Sequence, residues 1–285
     1  MTTKSKTTAP VNKTTRKPAT TTEIPTEQSK SKKPVRGKAI TIVLIIAIVV
    51  FGTIAIIFTS MVIGNVRGIR ASRAENESLR EIALIASATD VVDADEFGVI
   101  QLGALDEEMR QINSDYVGWI RIDGTDVDYP VVRGEDNEKY LKTSFYGEES
   151  ITGTVFMDYR ITGDLLSYSI GEAIPHIIIY GHNLQQGGIF SDLRRLTDEQ
   201  FLDEHNRITF IVSGQTIEFE IFSARKSDIH DPAFFLNFDG PREFPRFADR
   251  VEAPLAATQI ITLSTCTRGG SDDERIIVQG YRLLS

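Results

Sequence analysis

The chain has 285 residues, of which 41% are hydrophobic and 25% charged, with a net charge of −9. That is enough for one sizeable folded domain plus appendages, and the acidity, which lies beyond the first 63 residues, excludes a basic groove for nucleic acid. One cysteine, Cys266, excludes an intramolecular disulfide, so stability has to come from an apolar core.

Residues 1–38 carry ten Lys or Arg against Glu23 and Glu27 and have scarcely a large apolar side chain. Such a segment cannot bury a core, and a disordered basic tail is predicted. Residues 39–63 contain no charged side chain, and as a helix rising 1.5 Å per residue they span a hydrocarbon layer of roughly 30 Å. A cleaved signal peptide has a shorter apolar stretch nearer the N-terminus. A retained transmembrane anchor is therefore predicted, with the basic tail cytoplasmic and everything after residue 63 outside.

Residues 64–112 mix charges with Leu79, Ile82, Ala83, Ile85 and Ala86 at near-helical spacing, which predicts a juxtamembrane helical stalk. A second short helix follows in LDEEMRQIN, with Asp106 expected as its cap. From Tyr116 the pattern changes to eight short β-rich runs: YVGWIRI, VDYPVV, TVFMD, HIIIYGH, RITFIVS, TIEFEIFS, QIITLSTC and RIIVQGYRL. They predict an antiparallel barrel or sandwich. Turns fall at Asp123-Gly124 and Ser213-Gly214, the latter as a tight hairpin. Helical insertions are expected at IFSDLRRL, DEQFLDEH and PREFPRFADRV.

QIITLSTC and RIIVQGYRL are expected to pair as a hairpin, setting Cys266 and Arg275 at the same end of the sheet. On the first strand Cys266 shares a side with Ser264 and Thr262, opposite Leu263 and Ile261. A cation beside a thiol favours the thiolate. Each residue also has a plainer reading: Cys266 as a small buried hydrophobe and Arg275 as a solvated edge charge. A nucleophilic thiol needs a proton carrier. Of the four histidines, His182 stands where the apolar run HIIIY passes into a loop, a usual place for a site. His176 begins that strand and reads as structural, and His205 and His230 read as loop residues. No metal-ligand spacing occurs, and the Gly187-Gly188 and Gly269-Gly270 pairs follow no phosphate-loop pattern.

TLSTC at 262–266, an Arg nine residues later, and YGHN at 180–183 resemble the sortase family. DYVGWIRIDGTDVDYPVV, NEKYLKTSFYGE and VFMDYR resemble its class B members in particular. The likeness runs from about Asn113 to the C-terminus. It implies a mainly β, eight-stranded barrel with inserted helices as catalytic domain 113–285, needing no cofactor. It further implies Cys266 as nucleophile, His182 as general acid/base and Arg275 as transition-state stabiliser; Ser264 and Asn183 lie inside the matching motifs. The implied partners are exported proteins with an NPQTN-like sorting signal, cleaved after Thr, and the amine of a cell-wall precursor such as the lipid II peptide. Two alternatives stay open: a hydrolytic cysteine peptidase using the same residues, and a non-catalytic membrane-tethered binding domain.

Overall fold

A computed structural model of the chain describes residues 36–90, 103–166, 174–184, 187–240, 242–266 and 273–283. The basic leader through residue 35 lies outside the described residues. The chain divides into two units, Met1–Ile56 and Ile57–Ser285.

Helix α1 runs over Arg36–Asp90. Side chains such as Ile40, Val49, Phe51 and Ile54 in the first unit are exposed, and the helix is long and apolar enough to cross a membrane, with a mean hydropathy of 3.2 in an 18-residue stretch. Further along, within the second unit, the same helix acquires a buried stripe: Leu79, Ala83 and Ala86 join Leu105 and Met109 of α2 (Gly103–Ile112) and Tyr116, Trp119 and Val132 in one apolar cluster. Polar contacts add to it. Ser72 and Thr152 share a hydrogen bond of 2.6 Å, and the Arg80 guanidinium donates to the carbonyls of Asp126 and Asp128. Asp106 is not a cap: α2 already starts at Gly103, so Asp106 sits in the first turn, where burial pushes its carboxyl above the ordinary range.

All eight expected strands are present: β1 (Tyr116–Arg121), β2 (Asp128–Val132), β3 (Phe156–Met157), β4 (His176–Tyr180), β5 (Arg207–Val212), β6 (Gln215–Asp228), β7 (Ile260–Cys266) and β8 (Glu274–Arg282). They close into a barrel in the order β1-β2-β3-β4-β7-β8-β6-β5. The expectation of antiparallel pairing needs correction at two seams, because β2 pairs β3 and β4 pairs β7 in parallel. Parallel neighbours need a long crossover, and some eighty residues, including β5 and β6, separate β4 from β7. The insertions fold as a 3₁₀ helix at Ser191–Thr197 and as helices α3 (Glu199–Glu204) and α4 (Glu243–Arg250).

The hairpin joining β5 to β6 turns on two residues, with Ser213 at φ 48° and Gly214 at φ 73°. A turn that matches the right-handed strand twist requires positive φ at both central positions, which is the role of a small polar residue followed by Gly. Inside the barrel, Ile120, Val131, Met157, Ile177, Ile179, Phe210, Phe219, Ile261, Leu263 and Val278 form the main core. Outside, the connection from β6 to β7 carries Phe235, Phe238, Phe244 and Phe247, which pack over Ile260.

Candidate active site

Site geometry begins with register. In the β7–β8 hairpin, Leu263 pairs Val278, Thr265 pairs Ile276 and Cys266 pairs Arg275. The last pair closes one end of the sheet, as the hairpin reading requires. The side chain of Cys266 lies outside the described residues. Arg275 also pairs Ser227 of β6, so a strand on each side fixes its backbone, and one of its terminal nitrogens donates to the Glu274 carbonyl at 2.9 Å.

Parallel pairing then sets β4 beside β7, with Tyr180 opposite Ser264. The chain leaves the sheet through Gly181, whose N–H still donates to the Ser264 carbonyl, and His182 follows half-buried. His182 is held from the far side. Its Nε2 lies 2.8 Å from the carbonyl oxygen of Leu141, and since a carbonyl only accepts, Nε2 carries the proton and Nδ1 is the other ring nitrogen. The described residues beyond it are closely bonded. Phe190 N–H donates to the His182 carbonyl, Asn183 bridges Ile189, and the Ile189 N–H donates to the Tyr129 hydroxyl at 2.9 Å. Ile189 has φ 50°, a strained conformation for a β-branched residue that this packing enforces.

Between these elements lies a cleft of about 190 Å³. Tyr180, Gly181 and His182 line one side, Ser264, Thr265 and Arg275 another, and Asn137, Leu141 and Phe156 the remainder. The hydroxyl oxygens of Ser264 and Thr265 are buried with no hydrogen-bond partner among the described residues, although buried polar groups are nearly always paired. A larger cleft of about 330 Å³, lined by Arg73, Arg80, Tyr129 and Gly188 among others, contains neither His182 nor Arg275.

The other histidines stand apart from the cleft. His176 is fully buried, its Nδ1 2.8 Å from the Phe235 carbonyl and its Nε2 2.8 Å from the Thr262 hydroxyl. Burial pushes its imidazole down to about 4, so it is a neutral structural bridge. His205 packs on Phe201, and His230 is exposed. Among the described residues no cluster of His, Cys, Asp or Glu could hold a metal ion.

A family model described as "Sortase domain" matches residues 120–283. The chain belongs to the sortase family, class B. Sortase B of Listeria monocytogenes is 31% identical over 183 residues, covering 61% of this chain and 72% of its own length. Among solved structures, a Staphylococcus aureus sortase B–substrate complex is 25% identical with a TM-score of 0.62, covering 75% of this chain and 97% of its own. A sortase B complexed with triglycine is 26% identical with a TM-score of 0.64, covering 75% and 98%. Sortases are cysteine transpeptidases, and this sortase has the eight-stranded closed barrel of class B. Of the residues singled out in the sequence, His182 and Arg275 line the cleft, and Cys266 pairs with Arg275 at its edge. The sequence did not single out Asn137, Leu141, Phe156 and Tyr180, although the first three lie in segments resembling class B and Tyr180 opens the YGHN motif. The signal that marks them, a shared cleft, exists only once β3, β4 and β7 are neighbours.

Proposed function

We propose that this sortase cleaves a C-terminal sorting signal of exported proteins after Thr and transfers the acyl group to an amine of the cell-wall precursor, with Cys266 as nucleophile, His182 as acid/base and Arg275 as oxyanion stabiliser. The observation that carries the proposal is the register of Cys266 opposite Arg275 at the rim of the cleft that His182 lines. The Cys266 thiolate attacks the Thr carbonyl carbon, forming a C–S bond and a tetrahedral oxyanion. Arg275 stabilises that charge, an interaction commonly worth about 3 kcal/mol in a dry site. Collapse breaks the C–N bond as protonated His182 gives its proton to the departing amine. The acceptor amine then attacks the thioester, loses a proton to His182, and releases the thiolate. With Nε2 engaged by the Leu141 carbonyl, Nδ1 is the nitrogen for this exchange. The Ser264 hydroxyl, which shares a strand face with Cys266 and has no partner among the described residues, suits a polar group of an uncharged peptide such as an NPQTN-like signal.

The domain plan that goes with this activity is a cytoplasmic basic tail (1–38), a membrane anchor (39–63), a juxtamembrane helical segment (64–112) and an outer catalytic domain (113–285). The charge bias before the anchor supports that orientation.

The test uses the full chain in detergent with candidate sorting peptides and triglycine, the acceptor suggested by the relative solved with that peptide. Mass spectrometry is expected to find a thioester adduct on Cys266 and a ligated product. Cys266→Ala should lose at least about 10³-fold in rate. Arg275→Lys should stay folded and lose about 100-fold, because an ammonium lacks the planar fork. Hydrolysis alone, with no ligated product, would leave a peptidase instead.

A further inference from the structure

Asp158 follows β3 directly, and its carboxylate is wholly buried. It accepts five hydrogen bonds. Arg160 supplies three, from its backbone N–H at 3.1 Å and from Nε and Nη2 at 2.8 Å each. The other two come from Asn137 Nδ2 and the Tyr180 hydroxyl, both at 3.0 Å. Burial raises its pKa, but the hydrogen bonds from Arg160 and Asn137 together with the Arg160 charge outweigh that and hold the group below the ordinary carboxylate range, so it is an anion. Asp158 does not line the cleft, whereas two of its donors, Asn137 and Tyr180, do.

Both of those donors are fixed at more than one point. The Asn137 amide oxygen accepts the Tyr159 N–H at 3.0 Å, so each end of the amide is committed. The Tyr180 ring lies 5.3 Å from Phe156 and stacks on Phe234 at 6.5 Å and 11°. Tyr180 is two residues before His182 and registers with Ser264, two residues before Cys266. One buried anion thus joins a side chain on each of two walls, Asn137 and the Tyr180 strand end.

We propose that Asp158 is a positioning residue for the acyl-donor peptide, setting Asn137 and Tyr180 in the one arrangement that presents the peptide to the thiol. This rests on the reading of the cleft as the peptide site. A carboxylate suits the task because it only accepts, so Asn137 and Tyr180 must both turn their donors toward it. Asp158→Asn would bring an NH₂ group against three donating side chains and disturb the arrangement while nearly preserving shape.

Transpeptidation by the full chain, with the sorting peptide and triglycine varied separately, tests the idea. Asp158→Asn should lower kcat/KM for the peptide about 30-fold, leave the KM for triglycine within about twofold, and leave alkylation of Cys266 by iodoacetamide within about twofold. A merely structural role would instead shift all three. Tyr180→Phe, which removes only the phenol donor, should cost about fivefold in peptide kcat/KM and add less than its full effect to Asp158→Asn. If Asp158→Asn does not fold, Tyr180→Phe alone decides. Wild-type peptide kinetics in a folded Asp158→Asn, or in Tyr180→Phe, would overturn the proposal. A wild-type chain with no acyl adduct would instead overturn the functional reading beneath it.

Discussion

On the barrel side of β4 and β7, Ile177, Ile179, Ile261 and Leu263 are removed from water and have no side-chain polar atom to satisfy. On the outer side, His176, Thr262 and Ser264 are as thoroughly removed from water, yet each carries hydrogen-bonding groups. The inner face has the barrel interior for a partner. The outer face is roofed by the phenylalanines of the β6–β7 connection and stitched beneath them: His176 to the Phe235 carbonyl, Thr262 to His176, and Gln279 to Thr262. Gln279 in turn accepts from Arg225, which forms a two-pronged ion pair with Asp231. The two faces divide the labour. A strand's period of two lets one face supply cohesion while the other supplies directed polar groups, and the cleft opens where the second face runs out of partners, at Ser264.

Three substitutions or conditions probe that contrast. On the inner face, Leu263→Ala should cost about 2–5 kcal/mol through lost transfer energy and a cavity, read as a lowered urea midpoint followed by the lone tryptophan, Trp119. A cost below about 1 kcal/mol would mean the barrel interior is loosely packed. On the outer face the largest effect comes from pH. The native imidazole of His176 takes a proton only near 4, whereas the unfolded chain takes it near the ordinary 6.5. Stability from this group is complete above pH 6.5 and is lost as pH falls toward 4, by up to about 3 kcal/mol. Urea midpoints measured from pH 7 to pH 4 should show that loss, and an equal loss in His176→Gln would assign it elsewhere. Thr262→Val keeps the shape but strips a hydrogen-bond partner from both His176 and Gln279, for an expected cost of about 1–3 kcal/mol. A neutral result would mean that the two stranded groups find partners by rearranging.

The inner face was legible in the sequence and the outer only in part, for a physical reason. Alternation and turn chemistry are local, so all eight strands and the Ser213-Gly214 turn could be read from neighbours along the chain. Pairing is not local. The parallel partnership of β4 with β7 joins segments some eighty residues apart, and β6 continues through the polar stretch Ala224–Asp228 only because β8 lies beside it. The same limit applied to single residues. His182 and His176 flank one apolar run, and the strand end singled out His182, which lines the cleft, yet no spacing could reveal that Leu141 would meet one imidazole and Phe235 the other. Asp106 was expected as a cap, but α2 begins three residues earlier, at Gly103, and so holds it inside the first turn. Asp158 was one more acid within a motif until folding gathered five donors around it.

The clamp on His182 has an evolutionary corollary. Its anchor is a main-chain oxygen in the 3₁₀ turn Lys139–Leu141, and codon changes at position 141 alter a side chain without deleting that atom. A saturation library at this site should therefore keep the ring oriented in most members, whereas a one-residue deletion between Lys139 and Thr143 should release it. Natural drift of this segment is accordingly expected to conserve length more strictly than letters.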